Sequence, residues 1–172
     1  SEIAVLDVLP LPSNDGFKNR PRVLGSSFSI STYNFGATAQ TGEPAHGGAP
    51  ASKSVWFTWT APASGDVYLD TIGSSFDTRL SLYDGDTLGT LRHIGSSVSE
   101  TGKKFSKLRF SVAAGNTVHI AVDGVDGATG DFKLNLGYNF TFALHAGAAT
   151  DPVSIGSTNG TLTQARFNGP TA

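Results

Sequence analysis

Four histidines, fourteen acidic side chains and many hydroxyls are available for chemistry in this 172-residue chain. Histidines 46, 93, 119 and 145 are scattered and show no metal spacing such as H-x-x-x-H. His119 sits between Val118 and Ile120 in an alternating run, so it is expected to point away from the core. Ser, His and Asp are all present, but no G-x-S-x-G elbow exists to expose a nucleophile. No catalytic residue is therefore assigned, and the chain reads as a non-enzyme.

Two other sets of residues could carry a function. Asp84-Gly85-Asp86 and Asp123-x-x-Asp126 are acidic turns that could ligate Ca²⁺, which prefers carboxylate and carbonyl oxygens. Neither follows the D-x-D-x-D-G pattern. The competing reading of Asp84, Asp86, Asp123 and Asp126 is Asx-type turns that satisfy backbone N–H groups. Asp77, at a strand entrance, reads the same way. Trp56, Tyr68 and Tyr83 fall opposite the main aliphatic set of their strands. Exposed rings there could stack on sugars. Trp56 becomes core instead if both faces of its strand are covered.

The elements that must position these groups are strands. Ser54 to Gly85 holds both tryptophans and three period-2 runs. Val55, Phe57 and Trp59 share one face, and Trp56, Thr58 and Thr60 the other. Ala61-Pro62-Ala63-Ser64-Gly65 ends the first run, because proline lacks the ladder donor and glycine allows positive φ. Val67 and Leu69 alternate with Tyr68 and Asp70, and Leu80 and Leu82 with Ser81 and Tyr83. These are expected to be three antiparallel strands crossing the middle of a β-sandwich.

Around this centre, residues 3–9 are apolar and β-prone. Arg22 to Thr32 reads as one strand, and Thr38 to Lys53 as a long polar loop of the functional or Ω type. Leu88, Leu91 and Ile94 suggest a short strand, and Gly95 to Lys104 a loop. Phe105 to Ala113 and Thr117 to Val122 read as a hairpin closed by Ala114-Gly115-Asn116. From Phe132 to Leu144 every even position is apolar. That predicts an overlong strand over 131–145, which either bends at Gly137 and joins a second sheet or pairs outside the domain with its second half. Asn159-Gly160 predicts a terminal hairpin. No helical period of useful length occurs. The fold class is all-β: an antiparallel β-sandwich of jelly-roll type with extra N- and C-terminal strands.

Bulk properties exclude several classes. Cys and Met are absent, which removes thiolate catalysis and Fe–S or cysteine zinc sites. The net charge is -2 and no basic stripe is present, so no nucleic acid partner is expected. No apolar run approaches about 18 residues, so no membrane-spanning helix is expected. Ser1-Glu2-Ile3 carries no basic n-region, so a signal peptide is expected to have been removed or never present.

With these pieces in view, the chain resembles the bacterial pre-peptidase C-terminal domain family. The matching segments are N-D-G-F at 14–17, F-G-A-T at 35–38, G-E-P-A-H at 42–46, S-V-W-F-T-W-T-A-P at 54–62 and S-G-D-V-Y-L-D-T at 64–71. G-S-S-F-D-T-R-L-S-L-Y at 73–83, F-S-V-A-A-G-N-T at 110–117 and H-I-A-V-D-G at 119–124 complete them. The resemblance covers about residues 13–137. It implies a compact, non-catalytic β-sandwich of a secreted multi-module bacterial protein, one that either helps secretion or attaches its host protein to a glycan, another polymer or a cell surface. Where relatives often carry an acidic N-D-D-like turn, this chain has Gly95-Ser96-Ser97-Val98-Ser99-Glu100, so the resemblance does not carry over any cation site that depends on that turn.

The expected organisation is an N-terminal extension over 1–12, a sandwich over 13–137 and a C-terminal extension over 138–172. The expected function is non-catalytic extracellular binding of a polysaccharide or surface polymer. The alternative is a structural subunit of a filament or surface layer, assembling with copies of itself through residues 1–12 and 138–172.

Overall fold

The computed structural model describes residues 10–100 and 102–140. Nine strands form two sheets: β1 (Arg22–Val23), β2 (Phe28–Tyr33), β3 (Val55–Thr60), β4 (Gly65–Asp70), β5 (Thr78–Asp84), β6 (Arg92–Val98), β7 (Lys107–Val112), β8 (Thr117–Gly124) and β9 (Asp131–Phe140). The first sheet has the order β1-β3-β8-β5-β6 and the second β2-β9-β4-β7. Every pairing is antiparallel except the two-residue β1–β3 contact. The chain is an all-β sandwich, and the helical content of the described residues is three short 3-10 turns.

The core forms where the two inner faces meet. Val55, Phe57 and Trp59 of β3, Leu80 and Leu82 of β5, and Ile120 and Val122 of β8 come from the first sheet. Val67 and Leu69 of β4, with Phe132, Leu134 and Leu136 of β9, come from the second. Each such side chain contributes roughly 1.5–3 kcal/mol by leaving water. Phe132 is wedged between Phe57 and Phe76, with ring centroids 6.3 Å from each in edge-to-face geometry.

Several expected elements are corrected. Arg22 to Thr32 is two strands in different sheets, with Gly25 at φ +100° between them. The Ser54–Gly85 runs are three strands, but β4 lies in the opposite sheet from β3 and β5. Ala114-Gly115-Asn116 does not close a hairpin. It carries the chain from β7 in one sheet to β8 in the other. Leu88 lies in a 3-10 turn, and the strand runs from Arg92 to Val98, taking in the first residues of the expected loop. β9 does not bend at Gly137: its pairing with β4 runs in continuous register from Gly65↔Phe140 to Asp70↔Asn135. In each case local patterning is satisfied, and non-local pairing decides the sheet. The expected strand at 3–9, the continuation of β9 past 140 and the Asn159-Gly160 hairpin lie outside the described residues.

The outer faces of the two sheets differ. The outer face of the first is roofed by the 14–20 turn and the 38–53 loop, which enclose a second small core of Phe17, Trp56, Tyr83 and Ala121. The second sheet keeps a strict alternation. In β7 the exposed residues are Lys107, Arg109 and Ser111, and in β9 they include Asp131 and Lys133.

Candidate binding surface

The three candidate aromatic residues separate sharply. Trp56 is 0% exposed, Tyr83 is 1% and Tyr68 is 42%. Trp56 and Tyr83 are therefore not sugar platforms. Alternation does put them on the outer face of the first sheet, but the 38–53 loop covers that face. The Trp56 ring meets Phe17 edge-on at 5.0 Å and His46 at 5.3 Å. The Tyr83 hydroxyl donates to the Ala45 carbonyl at 2.6 Å and lies 2.9 Å from His46 Nδ1. Burial, followed by nearby carboxylates, pushes the Tyr83 phenol up to about 12.

Glu43 anchors this roof. Its Oε1 accepts from the Trp56 indole N–H at 2.8 Å and from the Ser54 hydroxyl, and lies 3.1 Å from His46 Nε2. Its Oε2 accepts from the Gln40 backbone N–H at 2.6 Å. Burial pushes the Glu43 carboxyl up, but the hydrogen bonds from His46, Ser54 and Gln40 and the charge of His46 outweigh it, so it sits below the usual range. Both side chains of the His46–Glu43 pair are shut off from water. A cluster of acid, imidazole and hydroxyl usually suggests catalysis, but no substrate reaches this one. It fixes a loop.

His119 faces away from the main core, as alternation requires, yet it is buried. Its Nε2 lies 2.8 Å from the Gly85 carbonyl, which can only accept, so Nε2 carries the proton. Its Nδ1 then accepts from Arg20 Nε at 3.2 Å and from the Thr58 hydroxyl. The Arg20 guanidinium lies over the Phe17 ring at 3.7 Å and Phe17 packs edge-on against the imidazole. Burial and then the Arg20 charge hold His119 below its ordinary value.

The candidate metal ligands do not converge. Both oxygens of Asp84 are held by Arg92, at 2.9 and 2.7 Å. Asp123 is fully buried and accepts from the Ser52, Lys53 and Gly124 backbone N–H groups at 3.0, 2.7 and 2.7 Å. It also accepts from the Ser52 hydroxyl at 2.9 Å. Asp126 is 91% exposed and lies 3.4 Å from Arg79. Asp86 is exposed. Among the described residues no three His, Asp or Glu side chains come together as a metal site would require.

What reaches solvent is the outer face of the second sheet. Among residues 10–100 and 102–137, Tyr68 is the one exposed Phe, Tyr or Trp. Register places it opposite Arg109 of β7 on one side and Gly137 of β9 on the other. The Arg109 guanidinium lies 5.2 Å from the Tyr68 ring centroid and donates to Asp66 at 2.7 Å. The Ser111 hydroxyl donates to the same carboxylate at 2.6 Å. These contacts, Ser111 first, hold the Asp66 carboxyl below its usual range. The next row is a ladder: Ser29 Oγ donates to Asn135 Oδ1, and Asn135 Nδ2 donates to Asp70 Oδ1, each at 2.7 Å. A hollow of about 240 Å³ is lined by Tyr68, Asp70, Lys107 and Arg109 among others. A separate groove of about 440 Å³ lies at the sandwich rim, lined by Asp84, Arg92, Phe110 and Asn116 among others.

No family model matches the chain, and no curated protein matches it in sequence. Among solved structures, the chain is similar to the pre-peptidase C-terminal domain of collagenase from Bacillus anthracis. The identity is 11%, the TM-score 0.46, and 76% of this chain and 99% of that one are covered. It is also similar to PliG from Aeromonas hydrophila, a periplasmic inhibitor of g-type lysozyme, at 15% identity, TM-score 0.44, and coverage of 70% and 95%. A family 35 carbohydrate-binding module from Clostridium thermocellum follows at 13% identity, TM-score 0.29, and coverage of 64% and 90%. Identity and superposition at these levels do not assign the chain to a family.

Sequence reasoning named Tyr68 but missed Arg109, Asp66, Asn135 and Asp70 around it. Each lies at an outward position of a visible alternation. Their convergence follows only from the strand order β2-β9-β4-β7.

Proposed function

We propose that this chain is a non-catalytic binding module that holds an extended polymer against the outer face of its second sheet. The observation that carries this reading is the exposed ring of Tyr68 on an open face whose polar side chains are already fixed by one another. A pre-ordered face loses little side-chain entropy on binding. Among the described residues, the titratable groups in acid–base geometry are sealed, as at Glu43 and His46, or engaged in holding backbone, as at Asp123. An extracellular location goes with this reading.

The test is retention of the full chain on a panel of insoluble polysaccharides and cell-surface polymers. Retention on at least one, weakened about tenfold or more in Tyr68→Ala at unchanged melting temperature, is the expected result. Retention on none, or retention indifferent to Tyr68→Ala, overturns the reading.

A further inference from the structure

The geometry points to a sugar-ring subsite at Tyr68, floored by the bare backbone of Gly137 and selective for neutral polysaccharides. The inference rests on the reading above and adds the seat and the ligand class.

Gly137 interrupts β9 at an outward position of an otherwise regular strand. A glycine inside a strand weakens it and signals either a bulge, a special backbone angle or the close approach of something else. The first two are absent here. The β9–β4 register is continuous through Gly137, and its φ is not positive. Packing does not require the glycine either, because a Cβ built there meets nothing within 4 Å. Among the described residues nothing fills the space above Gly137, and the ring of Tyr68 stands beside it in register. Arg109 occupies the other flank of that ring. A flat ligand thus has one side on which to approach, over Gly137.

The surroundings suit a pyranose. Its apolar ring face can lie on an aromatic ring while its hydroxyls seek donors and acceptors at the edge. Asp70 commits Oδ1 to the Ile72 N–H and to Asn135. Its Oδ2, and the Tyr68 hydroxyl, have no hydrogen-bond partner among the described residues. The face carries Asp66, Asp70 and Asp131 against Lys107, Arg109 and Lys133, which balance. Arg109 is already spent on Asp66. No surplus of either charge is left to select an anionic polymer, so a neutral one is the occupant that fits.

Gly137→Val separates this inference from the broader reading. Valine suits a strand better than glycine, so the melting temperature should hold or rise. Its side chain would fill the space beside Tyr68. The probes are microcrystalline cellulose, chitin and β-1,4-mannan, with polygalacturonate as the anionic comparison, each mixed with the full chain. We expect retention on at least one neutral polymer, lowered about tenfold or more in both Tyr68→Ala and Gly137→Val, with polygalacturonate bound more weakly. If Tyr68→Ala loses binding and Gly137→Val does not, the subsite is wrong and the binding face stands. Preference for polygalacturonate overturns the ligand class. Retention on no neutral polymer overturns the inference.

Discussion

Glu43 Oε1 accepts the indole N–H of Trp56 at 2.8 Å, inside a pocket that water does not enter. That bond explains why a ring placed on an outer sheet face is core. The 38–53 loop supplies the carboxylate, and the carboxylate ties the loop to β3. Glu43→Ala would leave the Trp56 N–H, the Ser54 hydroxyl and His46 facing an empty site. Breaking a buried pair from one side costs about 3–5 kcal/mol. Urea unfolding should show a loss of that order, and the Trp56 emission should shift to the red as the roof loosens. An unchanged midpoint would show that the roof is held by other means.

His119 gives the stability a pH dependence of known sign. Its folded-state value is depressed by burial and by Arg20, so the folded chain favours the neutral ring. The unfolded chain then binds more protons below about pH 6.5. The contribution of the neutral ring is present above that pH and is lost as pH falls through the lower folded value. Wild-type stability should decline as pH falls below about 6.5, with a slope of at most about 1.4 kcal/mol per pH unit from this group. His119→Gln should flatten that slope. Glu43 acts in a separate window. Its carboxyl is depressed, so its contribution is present above about pH 4.3 and is lost only as pH falls below that.

Asp123 is predicted to act as a backbone acceptor that pins residues 52 and 53 to the end of β8. Four donors converge on its carboxylate. Asp123→Ala should cost about 2–3 kcal/mol by leaving buried N–H groups unpaired. A chelator added to the wild type should not reproduce the loss. If it does, the carboxylate is holding a cation after all.

Much of this architecture was legible because alternation is a local signal. Val55, Phe57 and Trp59, or Phe132, Leu134 and Leu136, declare their inner face residue by residue, and all six are buried. Which strands share a sheet was not legible. The turn at Ala114–Asn116 has the composition of a hairpin, yet β7 pairs with β4 and β8 with β3 and β5. Nothing within a few residues of that turn encodes those partners. Trp56 and Tyr68 show the same limit at the site. Both alternate with aliphatic neighbours, and they differ only in whether a distant loop lies over them.

The most direct test of the binding face is an amide ¹H–¹⁵N titration of the full chain with a soluble oligomer of whichever neutral polysaccharide retains it. The account predicts shifts centred on residues 66–70, 107–111 and 135–137, with the 38–53 loop silent. Shifts centred instead on the rim groove around Asp84, Arg92 and Asn116, or on the 38–53 loop, would contradict it.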